Sequence, residues 1–106
     1  MGAHYEPTGD GVVFRIASSR ATRVELWLYD APMGAERERV VMEREDGDAW
    51  RARIAAPPGT IYYGYRVWGP NWPYDETWTP GTTAGWIADA DADGNRMNPN
   101  KLVFDP

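Results

Sequence analysis

Apolar and polar positions alternate with a period of two in several segments along the first two thirds of this chain, and that period belongs to strands. From Val12 to Ile16 the alternation puts Phe14 and Ile16 on one face, and from Arg23 to Tyr29 it puts Val24, Leu26 and Leu28 together. Both segments are predicted as half-buried strands. Ala35 to Arg44 is charged enough for a surface helix, yet Val40 and Val41 stand side by side just before an Asp46-Gly47 turn signal, which favours a strand. After that turn Trp50, Ala52 and Ile54 alternate with Arg51 and Arg53, so the run from Val40 to Ile54 reads as a hairpin whose arginines face water. Pro57-Pro58-Gly59 breaks the chain, and Ile61 to Trp68 follows as the most aromatic strand. It has Ile61, Tyr63, Tyr65 and Val67 on one face and Tyr62, Arg66 and Trp68 on the other.

From Gly69 to Asn100 the pattern lapses. Prolines stand at 70, 73, 80 and 99, and only the short stretch Gly85-Trp86-Ile87-Ala88 has any regularity. A loop of this length is expected to carry a function or to dock on something. A last strand is predicted from Lys101 to Phe104. Short strands separated by turns, with no helix between them, predict an all-β chain: one antiparallel β-sandwich over residues 1–106, immunoglobulin-like, with a long Trp/Pro/Gly-rich loop before the last strand.

Composition narrows the possibilities. With 106 residues the chain has room for a single core. Six Trp and six Tyr are an excess that serves a β core and a flat ligand platform equally well. A net charge of -5 works against nucleic acid, whose backbone demands a positive patch. No apolar run has the length of a membrane span, and Met1-Gly2-Ala3-His4-Tyr5 lacks the regions of a signal peptide; a cytoplasmic location is the default expectation, with secretion of a parent chain left open. Without cysteine there is no disulfide or thiolate chemistry, and no cofactor is implied. His4, the one histidine, lies near a terminus expected to fray, which leaves no triad or histidine-based metal site to build.

Three landmarks together give a resemblance. They are Val13-Phe14-Arg15-Ile16-Ala17-Ser18-Ser19 followed by Ala21 to Tyr29; Tyr62-Tyr63-Gly64-Tyr65-Arg66-Val67-Trp68-Gly69-Pro70-Asn71-Trp72-Pro73-Tyr74; and Asn98-Pro99-Asn100-Lys101-Leu102-Val103-Phe104-Asp105-Pro106. In this order they resemble the N-terminal domain of bacterial isoamylases and related glycogen-debranching enzymes. The resemblance implies an immunoglobulin-like sandwich related to carbohydrate-binding modules and attached to a catalytic (β/α)₈ barrel that hydrolyses α-1,6 branch linkages. The carboxylates of such chemistry belong to the barrel mouth, which is absent from this chain, so the expected role is docking or glucan binding without catalysis. A free-standing immunoglobulin-like carbohydrate- or protein-binding module is the alternative.

Trp68, Trp72 and Trp78 are the candidate sugar platform, since an exposed indole offers a flat apolar face to the C–H side of a glucose ring. The same rings could instead pin down the loop. Related glucan-binding modules use two tryptophans and a lysine, and the resemblance places Trp72 near one expected position and Gly64 at that of the lysine. Asp89, Asp91 and Asp93, at alternate positions before Gly94, look like the first half of a calcium loop, although Asn100 stands where the bidentate glutamate is needed; a turn of solvated acids is the competing reading. Glu43 with Glu45 and Asp75 with Glu76 have the look of solvated pairs rather than glycosidase acids. Lys101, the only lysine, and Phe104 lie in the junction motif and are the candidate contacts to the barrel, with α-glucan (glycogen, amylopectin) as the other expected partner.

Overall fold

The fold was obtained as a computed structural model, which describes residues 2–5, 9–31, 34–45, 47–55 and 61–103. Among the described residues the elements are all strands: β1 (Gly2–Tyr5), β2 (Gly11–Ala17), β3 (Arg23–Tyr29), β4 (Glu38–Val41), β5 (Glu43–Arg44), β6 (Ala49–Ala55) and β7 (Tyr62–Trp68). They form two antiparallel sheets, ordered β1-β2-β6-β5 and β4-β3-β7. This is the expected all-β sandwich.

The core between the sheets follows from the alternation. Val12, Phe14 and Ile16 from β2 meet Trp50 and Ala52 from β6, and across the gap lie Val24, Leu26 and Leu28 from β3 and Tyr65 from β7. Each large side chain taken out of water here contributes roughly 1.5–3 kcal/mol. Tyr63 adds edge-to-face ring contacts to Phe14 at 4.9 Å and to Tyr65 at 6.0 Å.

Two expectations need correction. The run from Val40 to Ile54 is not one hairpin: β4 pairs with β3 in one sheet, while β5 pairs with β6 in the other. The chain changes sheets at Met42, whose side chain is buried in the core and whose N–H donates to Val24 O at 2.9 Å. Period-two alternation is the same on either sheet, so the pattern cannot register such a crossing. The N-terminus, expected to fray, instead supplies β1, paired from Gly2 with Arg15 to Tyr5 with Val12 at the edge of the first sheet.

At the opposite edge, beyond β7, Val103 and Tyr65 exchange two backbone hydrogen bonds of 2.8 Å each, so the predicted last strand is present as one bridge. Phe104 lies outside the described residues.

Candidate functional site

Most of β3 and β7 is buried on both faces of the second sheet, whereas β4 at its edge is largely exposed. The inner side chains fill the sandwich, and on the outer face Glu25, Trp27, Arg66 and Trp68, with Gly64 among them, are buried as well. What covers them is the long loop, residues 69–102. Trp27, Trp68, Trp72 and Trp78 make a second apolar core there, with Tyr29, Ala84 and Leu102 packed against it.

The loop owes its path to its glycines, prolines and asparagines. Gly69 and Trp72 bond to each other's backbone across Pro70-Asn71, which makes a tight turn directly after β7. Thr82 N–H donates to Thr79 O around Pro80-Gly81, and Gly81 adopts φ +88°, as the second central residue of a proline-initiated turn requires. Asn71 is wholly buried. Its Nδ2 donates to Ala88 O at 3.0 Å and Met97 O at 2.9 Å, its Oδ1 accepts from Met97 N at 3.0 Å, and its carbonyl accepts from Ile87 and Ala88. One side chain thus ties three strands of loop together, at positions too far apart in sequence for local pattern to reveal.

Two charged side chains, Glu25 and Arg66, are buried under the loop. Glu25 bonds Arg23 at 2.8 Å and accepts from Trp27 Nε1 at 3.0 Å. Arg66 donates to Pro99 O at 2.7 Å and lies 4.2 Å from the Trp27 ring and 5.6 Å from that of Trp78. Arg66 Nε and the indole N–H groups of Trp68 and Trp78 have no hydrogen-bond acceptor among the described residues. They lie in a cluster of edge-to-face rings, Trp68 on Trp78 at 5.1 Å and Trp27 on Trp78 at 6.0 Å.

The placement of the candidate residues follows. Trp68, Trp72 and Trp78 are brought together, but with 0, 4 and 4% exposure they form the interior of the loop layer rather than an open platform. The physical reason is that a Pro- and Gly-rich segment has few other large side chains with which to bury the outer face of the sheet. Trp72 is fixed further by Nε1 donating to Ala84 O at 3.0 Å. Gly64, at the position the resemblance gives to a lysine, lies beneath Leu102: a Cβ there would stand 2.6 Å from Leu102 Cγ.

The acidic turn is a closed hydrogen-bonded structure. Asp91 Oδ1 accepts from Asp93 N at 3.0 Å and Asn95 N at 2.9 Å, and Oδ2 accepts from Asn95 Nδ2 at 2.8 Å. These bonds hold the Asp91 carboxyl below its ordinary pKa, with the Asn95 side chain the largest influence. Asp89 is engaged by Trp86 Nε1 at 3.1 Å, and Asn100 accepts from Gly81 N and donates to Thr82 O. Asp89 and Asp91 thus make separate local bonds, and no group of three or more His, Cys, Asp or Glu able to hold a metal converges among the described residues.

Lys101 is exposed and borders a cleft of about 260 Å³ lined also by Trp72, Asp89, Arg96, Met97 and Asn98. Trp86 and Ile87, exposed at 46 and 63%, were not among the candidate residues. Two adjacent large apolar residues in the one regular stretch of the loop were the available signal.

Residues 1–106 match the family of carbohydrate-binding module 48, the isoamylase N-terminal domain. This chain belongs to that family. The module is 42% identical over 116 residues to an isoamylase of Flavobacterium sp., an alignment that takes in all of the chain and 15% of the isoamylase. Among solved structures it is similar to the pullulanase of Bacillus acidopullulyticus, with a TM-score of 0.59 and 26% identity over 66% of this chain and 8% of that one. It is also similar to the pullulanase of Paenibacillus barengoltzii in complex with maltohexaose and α-cyclodextrin, with a TM-score of 0.58 and 28% identity over 65% of this chain and 10% of that one. The module thus spans a small fraction of each relative.

Proposed function

We propose that this module serves as the N-terminal accessory domain of a glycogen-debranching glycoside hydrolase. In that role it docks on a catalytic barrel that cleaves α-1,6 linkages and contributes contact to the glucan. The observation that carries the reading is the family match along the whole chain, joined to the rigid loop layer that Asn71 and the buried tryptophans build. A layer fixed in this way presents Lys101 and the neighbouring loop surface in one constant shape, which is what a permanent contact with a second domain requires. Catalysis is assigned to the barrel. Glycoside hydrolysis needs two carboxyl groups flanking a bound sugar, and in the loop the carboxylates of Asp75 and Asp91 hold turns.

The test is a domain exchange. The N-terminal domain of the Flavobacterium isoamylase is replaced by residues 1–106, and the chimera is compared with a form lacking the domain. The chimera is expected to debranch glycogen at a rate within about tenfold of the parent and to melt above the truncated form, because contact with the native barrel adds stability. A chimera no better than the truncated enzyme on both measures overturns the reading, as does release of linear dextrins from pullulan by this chain alone.

A further inference from the structure

The buried tryptophans leave the module without the platform its sequence advertised, but another stands on the same loop. Trp86 is 46% exposed, and its Nε1 donates to Asp89 Oδ1 at 3.1 Å, so the ring is held at one edge while much of it remains open to water. Its backbone is fixed as well, through Trp86 N–H to Thr83 O at 2.9 Å, and the next residues, Ile87 and Ala88, hang on the Asn71 carbonyl. A large apolar ring kept at the surface by two anchors loses little freedom when a ligand lands on it.

Asp89 connects this ring to the cleft described above, whose polar rim also carries Arg96, Asn98 and Lys101. Asn98 is oriented by Oδ1 accepting from Asn100 N at 2.9 Å. At about 260 Å³ the cleft lies below the roughly 300–1,000 Å³ of sites that enclose a whole drug-sized ligand. Its capacity suits one ring of a longer molecule that continues outside. The rim mixes a carboxylate acceptor with guanidinium and ammonium donors, and that set pairs with hydroxyl groups, which both donate and accept.

We propose that Trp86 and the adjoining cleft form a glucan subsite: one α-linked glucose unit stacks on the Trp86 ring while its neighbour enters the cleft, with hydroxyls bonded to Asp89, Arg96 and Lys101. The site is separate from Trp68, Trp72 and Trp78 and from Gly64. It rests on the reading of the chain as a carbohydrate-contacting module and specifies where that contact is made.

The isolated chain is run in native gels containing glycogen and titrated with maltoheptaose. Wild type is expected to be retarded by glycogen. Trp86→Ala is expected to raise the dissociation constant by about tenfold, the loss of one stacking contact, and Trp86→Phe to restore part of it. The indole N–H resonance of Trp86 gives a reading without mutation: it should move during the titration while those of Trp68 and Trp78 stay in place. Retardation of Trp86→Ala equal to wild type, or a stationary Trp86 resonance while glucan binds, overturns the subsite and leaves glucan contact by the module standing. Absence of any binding by wild type overturns the subsite and the glucan contact together, whereas docking on a barrel is judged separately by the domain exchange.

Discussion

Asn71 grips Met97 with both ends of its amide, donating from Nδ2 to Met97 O at 2.9 Å and accepting at Oδ1 from Met97 N at 3.0 Å. This reciprocal pair reproduces the bonding of a backbone neighbour, in the interior of a loop that has no strand to offer. It stops residue 97 beside β7, where Met97 covers Gly69, and so sets the entry of the segment that ends in the Val103 bridge.

Asn71→Ala leaves the Met97 N–H without its acceptor and removes the donor for the half-buried Ala88 and Met97 carbonyls. At about 1–3 kcal/mol for each buried polar group left unpaired, with partial relaxation of the loop, a loss of about 3 kcal/mol is expected in urea unfolding. Asn71→Asp should be no better, because its second oxygen would face the Ala88 and Met97 carbonyls. Either variant retaining wild-type stability would contradict the role given to the side chain.

Gly64→Ala places a methyl group against Leu102, 2.6 Å from its Cγ, and should cost about 1–3 kcal/mol as an overpacked contact. Leu102→Ala made on top of it relieves the crowding. The double variant is therefore expected to be less destabilised than the sum of the two singles, and a double-mutant cycle measures the difference. Strict additivity would mean that the two positions do not meet.

Trp68→Ala and Trp78→Ala should each lower stability by about 3–5 kcal/mol, the usual cost of truncating a buried aromatic ring, whereas Trp86→Ala should stay within about 1 kcal/mol of wild type. Chemical denaturation of the three variants checks the ordering. Because of this contrast, any loss of glucan binding by Trp68→Ala or Trp78→Ala must be read beside its unfolding curve.

Acid should act through Asp91. Its carboxyl is held below the ordinary value of 3.8 by Asn95, so the folded chain takes up the proton less readily than the unfolded chain. The stability this supplies is complete above the unfolded value and is lost as pH falls through the lowered folded one. Asp75, lowered by its bonds to Thr77, acts in the same direction. Melting curves of wild type should therefore decline more steeply below about pH 4 than those of Asp91→Asn. Equal slopes would show that the turn contributes nothing of this kind.

The strands were legible because each rests on a local rule. Alternation at Val24, Leu26 and Leu28 predicts β3 with the bounds observed, and the inward set of Tyr63, Tyr65 and Val67 on β7 follows from the same period. The sheet crossing at Met42 left no mark, since either neighbour satisfies the same pattern. The tryptophans were equally mute. An indole in a Pro-rich loop has one composition whether it faces water or the back of a sheet.

The sequence by itself determined that the chain is an all-β sandwich and which family it resembles, because period-two burial, turn residues and a run of ordered motifs are properties of neighbouring residues. Only the tertiary structure decided that Trp68, Trp72 and Trp78 are interior, that Asp91 serves a turn, and that Trp86 is the ring left open. Those outcomes depend on how the loop folds back over Glu25, Trp27 and Arg66, through contacts such as Asn71 with Met97 that join positions 26 residues apart. Burial is a sum over neighbours in space, and a chain records its neighbours only along its length.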